Sequence, residues 1–157
     1  MSWIGMSSSF VSSWDETMAN YMSACRSNYF KIGRPLEFME WIGQFPDVVF
    51  EERQGPDSPQ DMYGMVYVDN PDGAGWPCWC FDEDDNEVEV DFFQDLAEFL
   101  APDEVAVFME VGSEKLRYLF GQAIAVHSNG ETEVVSLNDI MDKAFERWNI
   151  HPTDCTY

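Results

Sequence analysis

The spacing of apolar residues predicts two helices at the start of the chain. Between residues 8 and 29, large apolar side chains recur at steps of three or four, which is typical of an amphipathic helix; they are Phe10, Trp14, Met18, Tyr21, Met22 and Cys25. Pro35 favours the first position of a second helix, Leu36 to Gln44. We therefore expect residues 1–45 to be mainly helical.

The pattern then changes to short β-type runs separated by turn residues. The predicted strands begin at Asp47 and continue as Met62–Asp69, Trp76–Phe81, Glu87–Val90, Glu104–Val111, Leu116–His127 and Glu131–Val135. Gly112-Ser-Glu is a predicted turn, and Asn129-Gly130 carries the signal of a type I′ hairpin.

Two further helices follow from local capping signals. Asp91 is a predicted N-cap for a helix that ends at Leu100. Ser136 and Asp139 form an approximate capping box before a helix over Leu137–Asn149.

These elements predict an α+β fold. N-terminal helices are expected to precede a mainly antiparallel, twisted β-sheet with interspersed and C-terminal helices. The 157 residues suit one compact domain. Within it we expect a helical part (1–45), an α+β body (46–150) that contains an acidic segment (54–114), and a loose tail (151–157).

Charge changes this picture more than composition does. The chain has 30 Asp and Glu against 8 Lys and Arg, a formal net charge of −22. Residues 54–114, the acidic segment, contain seventeen of these acids and no Lys, Arg or His. An ordinary solvated surface intersperses both signs, so a cation-free segment of this length points to a partner of positive charge. A solubilising surface or a halophilic source is the alternative explanation.

The densest acids follow a strand-like alternation. Asp85, Glu87, Glu89 and Asp91 occupy odd positions, and the apolar Val88, Val90 and Phe92 occupy even ones, so a strand here would align the four carboxylates on one face. Such a row crudely imitates the charges of a phosphate backbone. The alternative is an edge strand made acidic to prevent aggregation. The predicted partner-binding residues are Asp82, Glu83, Asp84, Asp85, Glu87, Glu89 and Asp91, with Trp76 and Trp79 as aromatic anchors.

Metal and catalytic signals are weak. Asp82, Asp84 and Asn86 match the start of an EF-hand loop, but Glu87 and Phe93 stand where Gly and Glu are needed. Cys78 and Cys80 lack the two-residue spacing of zinc or thioredoxin-like motifs. With two His residues and no nucleophile elbow or phosphate-binding loop, we assign no catalytic residue, metal or cofactor and expect a protein that is not an enzyme.

The charge pattern favours an inhibitory binding protein. It would occupy the basic nucleic-acid-binding site of a nuclease, restriction enzyme, CRISPR effector or similar protein. By analogy of composition, it would be an anti-restriction or anti-CRISPR product of a phage or mobile element. An immunity protein or antitoxin against a basic toxin, a carboxylate-based divalent-metal domain and a structural component of an assembly are the alternatives.

The same charge excludes direct binding to nucleic acid or to an anionic membrane surface. The first residues lack a signal-peptide pattern, and the four Cys are expected to be reduced, so we expect a cytoplasmic protein. The sequence leaves open a homodimer and a start at Met6.

Overall fold

A computed structural model of the chain describes residues 21–70, 75–114 and 118–153. Their strands are β1 (Tyr21–Ser27), β2 (Phe30–Ile32), β3 (Val48–Gln54), β4 (Met62–Val68), β5 (Trp79–Phe81), β6 (Glu87–Glu89), β7 (Val105–Glu114), β8 (Tyr118–His127) and β9 (Thr132–Ser136). The helices are α1 (Pro35–Ile42), α2 (Phe92–Ala97) and α3 (Asp139–Trp148).

Seven of these strands form one antiparallel sheet, which confirms the α+β class. β4 pairs with β3 along one edge and with β2 and the end of β1 along the other. From β1 the sheet continues through β7 and β8 to β9. The remaining two strands, β5 and β6, form a separate hairpin.

The predicted first helix is wrong where the structure describes it, because residues 21–27 form strand β1. β1 is a central strand, whose seven residues all pair with β7 from Tyr21↔Glu114 to Ser27↔Phe108. Its sequence also alternates, with Cys25 and Ser27 buried and Met22 and Arg26 exposed. Pairing with distant strands therefore overrides the helical spacing. Residues 8–20 of the predicted helix lie outside the described residues.

Asn28 and Tyr29 form a kink between β1 and β2. The side chains of Ser27 and Asn28 hold it in place. The buried Ser27 hydroxyl accepts a hydrogen bond from the Val66 backbone N–H (2.8 Å), which ties the kink to β4. On the other side, the Asn28 Oδ1 accepts from the Val107 N–H (2.8 Å). Among the described residues, no buried side-chain nitrogen or oxygen atom lacks a hydrogen-bond partner.

The predicted elements after residue 35 are present, with shifted boundaries. β7 runs through the predicted turn at Gly112 to Glu114, because Gly112 pairs with Phe120 of β8. The β8–β9 hairpin turns at Asn129-Gly130, but only Gly130 has a positive φ, of 90°. The Gly130 N–H donates to the His127 carbonyl, so a type I turn followed by glycine replaces the predicted type I′ turn.

One face of the sheet carries the hydrophobic core. Phe30, Val66, Phe108 and Val126 project from β2, β4, β7 and β8 and are at most 1% exposed. α1, α2 and the β5–β6 hairpin contribute Phe38, Phe92, Leu96 and Cys80 to the same cluster. The two helices and the hairpin therefore lie on this face of the sheet. None of the helices in the described part of the chain is long and apolar enough to cross a membrane.

Candidate partner-binding hairpin

The densest part of the acidic segment folds as the β5–β6 hairpin. Trp79 lies opposite Glu89 and Phe81 opposite Glu87. Opposed residues of an antiparallel pair project to the same side, so two aromatic rings and two carboxylates share one surface. We call Trp79, Phe81, Glu87 and Glu89 the hairpin face. All four side chains are exposed, and the two aromatic residues are 54% and 59% exposed.

The other side of the hairpin fixes it to the domain. Cys80 projects away from the hairpin face and is buried in the hydrophobic core. The Val90 N–H donates to the Cys78 carbonyl (2.9 Å), which extends the strand pairing by one further hydrogen bond. The hairpin face is therefore presented on an anchored support.

Asp82 holds the turn between the two strands. Its Oδ1 accepts from the backbone N–H groups of Asp84 and Asn86, both at 2.9 Å, and the Asn86 side-chain amide donates to both carboxylate oxygens. Hydrogen bonds from the Asn86 backbone, then from its side chain, lower the pKa of Asp82. Asp85 adopts a left-handed conformation, with φ of 60°.

The predicted row of four carboxylates on one strand is wrong. β6 spans only Glu87–Glu89, Asp85 belongs to the turn, and Asp91 is the N-cap of α2, where its carboxylate accepts from the Gln94 N–H (3.2 Å). Glu87 and Glu89 alone keep the predicted alignment. Glu83, Asp84 and Asp85 are exposed at the turn beyond them.

Trp76 and Trp79 have different surroundings. Trp76 is half-buried, and its ring stacks on Phe92 (centroids 5.7 Å apart) and meets Phe108 edge-on (5.0 Å). It therefore packs against the core beneath the hairpin, whereas Trp79 is available to a partner.

Phe81 was not among the predicted partner-binding residues. The signal for it is present in the sequence, because Trp79 and Phe81 flank Cys80 at a spacing of two, which places both rings on one side of a strand. Its position opposite Glu87 follows only from the pairing of β5 with β6.

Three of the described cations are engaged elsewhere. Lys31 forms a salt bridge with Asp61 at 2.5 Å, and Arg34 pairs with Glu37. The hydrogen bond from Lys31 to Asp61 raises the pKa of Lys31. Arg53 lies over the Tyr29 ring, 5.1 Å from its centre. Within residues 21–70, 75–114 and 118–153, no salt bridge reaches the carboxylates of the hairpin.

Other acids of the acidic segment lie away from the hairpin. Asp57, Asp61 and Glu104 line a polar pocket together with Lys31. Asp95 belongs to α2, where burial and the nearby Asp91 and Glu98 raise its pKa. The segment therefore does not form one continuous anionic face, and the hairpin is its most concentrated part.

A small apolar cleft adjoins the hairpin. It has a volume of about 190 Å³ and lies between the hairpin and the neighbouring ends of β3 and β4. Phe45, Val48, Val68 and Trp79 contribute to its lining. Its size suits one apolar side chain of a partner beside the charged surface.

Cys78 and Cys80 are outside any disulfide and have opposite surroundings. Cys78 is exposed and Cys80 is buried. In the described ranges, no group of three or more His, Cys, Asp or Glu is arranged to hold a metal ion.

Comparisons with known proteins assign no family. A scan against protein-family models, a search of curated proteins and a search of solved structures each find no match to this chain.

Proposed function

We propose that the protein is an inhibitory binding protein whose β5–β6 hairpin enters the positively charged nucleic-acid-binding site of a partner. The candidate partners are restriction enzymes, CRISPR effectors and nuclease toxins. The observation that carries the proposal is the hairpin face, where two exposed aromatic rings alternate with two exposed carboxylates.

The composition of this surface suits a nucleic-acid-binding site. Such sites combine Lys and Arg with surfaces on which bases stack. Carboxylates of the hairpin can therefore pair with the Lys and Arg side chains, and its aromatic rings can contact the surfaces that would otherwise stack on bases. Long-range attraction between the acidic chain and a basic channel would speed association. Trp79 and Phe81 would add the desolvated contacts that usually dominate an interface.

The support of the hairpin favours recognition over simple solubility. Carboxylates that only keep a protein soluble need no fixed geometry, whereas Asp82 orders the turn and Cys80 anchors the strand. A pre-organised surface loses less conformational entropy on binding.

Charge reversal with a matched control tests the proposal. The test variant is Glu87→Lys/Glu89→Lys, and the control is Glu40→Lys/Glu98→Lys, which changes the net charge equally at exposed positions on α1 and after α2. Cleavage of DNA or RNA by purified restriction enzymes, CRISPR effectors and nuclease toxins is measured with each protein at 50 and 300 mM salt.

We expect the wild-type chain to inhibit at least one of these enzymes in competition with its nucleic acid, and more strongly at low salt. The test variant should lose at least about tenfold in affinity, while the control loses much less. Equal losses in both variants would contradict the role of the hairpin face, and inhibition of no enzyme in the panel would overturn the proposed class.

A further inference from the structure

The face of the sheet opposite the core exposes a continuous apolar surface. Pairing of β1 with β7, β7 with β8 and β8 with β9 fixes which side chains project to it. We call this surface the open face and define it by Met22, Val105, Met109, Val111, Leu119 and Val135. Five of these side chains are more than half exposed, and Val105 is 39% exposed.

Acidic residues are nearly absent from the open face. In a chain with 30 carboxylates, the outward positions of β1, β7, β8 and β9 include one acid, Glu133, on the outermost strand. The acids of β7, Glu110 and Glu114, occupy the inward positions that alternate with Met109 and Val111. Two molecules that each carry −22 repel one another, so a surface with few carboxylates is the one on which they can approach most easily.

The size of the open face suits contact between two proteins. The four strands are 7, 10, 10 and 5 residues long, so at about 4.8 Å per strand and about 3.4 Å per residue they span roughly 19 by 27 Å. The resulting area of roughly 500 Å² lies within the range of the largest apolar patches found on monomers, about 300–600 Å², which are often functional. This flat area is smaller than the roughly 800 Å² of accessible surface that each partner buries in a standard interface, because it leaves out the surface of the projecting side chains.

The two charged groups at the borders of the open face make it self-complementary. Arg26 lies on β1 and Glu133 on β9, at opposite edges. A two-fold axis parallel to the strands places β1 of one copy over β9 of the other. Arg26 lies level with Met109, Ala123 and Val135, and Glu133 is two residues along β9 from this level, about 6.8 Å away. Since sheets packed face to face lie about 10 Å apart, the two Cα atoms would be about 12 Å apart, a distance that an arginine and a glutamate side chain span together.

We propose that the open face is the self-association surface of a symmetric dimer with its two-fold axis parallel to the strands. The two sheets pack face to face, with Met109 and Val111 near the centre and two Arg26–Glu133 pairs at the edges. The proposal does not depend on the proposed function, because the hairpin lies on the other side of the sheet.

Sedimentation equilibrium of the full chain from 1 to 200 µM tests the dimer. The test variant is Met109→Glu, and the control is Met39→Glu, the same change at an exposed position of α1. We expect wild type and control to dimerise and the test variant to weaken dimerisation at least tenfold. Val135→Glu, on a different strand, is expected to act in the same way and serves as the second variant should Met109→Glu fail to fold by circular dichroism.

The orientation of the dimer is tested by a charge exchange. Arg26→Glu and Glu133→Arg should each weaken the dimer, and the double variant should restore it. A wild-type chain that is monomeric at 200 µM overturns the proposal. Such a result is expected if residues 1–20 or a different protein covers the open face. Dimers that persist unchanged in both Met109→Glu and Val135→Glu also overturn it.

Discussion

The carboxylates of the hairpin divide into those that build the structure and those that remain available. Asp82 accepts three separate N–H donors from two residues, and Asp91 caps α2. Glu87 and Glu89 project from β6 opposite aromatic rings. Replacing acids of the first kind should change the conformation of the hairpin, whereas replacing acids of the second kind should change its charge alone.

The hydrogen bonds of Asp82 lead to a prediction about a single residue. Asp82→Ala should accelerate amide hydrogen exchange at Asp84 and Asn86, because both N–H groups lose their acceptor, while the global melting temperature falls by no more than roughly 4 °C. Asp82→Asn, which keeps an oxygen acceptor, is the matched control and should show a smaller effect. Unchanged exchange in Asp82→Ala would contradict the role of the carboxylate.

The turn should also depend on pH. Because the folded-state pKa of Asp82 lies below its ordinary value of 3.8, the carboxylate stabilises the turn fully above that value and loses this effect as the pH falls through the lowered pKa. The amide resonances of Asp84 and Asn86, followed by NMR from pH 6 to pH 2, should report the loss. The Asp82→Asn variant should lack this titration.

At the scale of elements, two glycines decide how closely neighbouring segments approach. A Cβ on Gly64 of β4 would lie 2.5 Å from the Glu51 carbonyl oxygen and 2.5 Å from the Phe50 ring. A Cβ on Gly121 of β8 would meet the Leu137 side chain at 2.6 Å. The first contact involves the backbone of a paired strand, whereas the second involves an exposed side chain that can move.

This difference predicts opposite tolerances for the same substitution. Gly64→Ala should destabilise the fold by about 1–3 kcal/mol, because β3 cannot move away without losing its pairing with β4. Gly121→Ala should change stability by less than about 1 kcal/mol, since Leu137 can rotate and alanine is favoured over glycine in a strand. Urea denaturation of the two variants compares them directly, and equal losses would contradict the explanation.

Local sequence signals predicted most elements correctly, and long-range pairing accounts for the main error. Pro35, Asp91 and Asn129-Gly130 each mark a boundary through their own local chemistry, and the elements that they mark are present. β1 could not be recognised, because its pairing with β7 joins Cys25 to Glu110, and nothing near Cys25 in the sequence indicates that partner.

The candidate site was predictable to a similar degree. The alternation around Val88 placed Glu87 and Glu89 on one side, as the structure has them. The structural roles of Asp82 and Asp91 and the position of Phe81 opposite Glu87 depend on where the strands end and how they pair. The spacing of residues does not determine either property.

For the whole molecule, like-charge repulsion is the main consequence of the composition. The two salt bridges in the described residues engage only two of the acids, so most carboxylates repel one another without local compensation. Added salt shortens the Debye length from about 30 Å at 0.01 M to about 10 Å at 0.1 M and should relieve this repulsion.

We therefore expect the melting temperature to rise by several degrees between 10 and 300 mM NaCl at pH 7. Measurement with KCl should give the same rise, because the cause is ionic strength and not a specific cation. Sucrose at equal osmolality serves as the uncharged control. A melting temperature that falls with salt would show that attractive charge pairs dominate.

The placement of α1, α2 and the hairpin on one side of the sheet would also set the valence of a dimer joined through the open face. Cys80 fixes the hairpin to the covered side, so a dimer joined through the open face leaves both hairpins pointing outward in opposite directions. Such a dimer can hold two partner molecules at once and link them together. A partner with one binding site should then saturate at two molecules per dimer, whereas a partner with two binding sites should form its largest complexes near equal concentrations of protomer and partner.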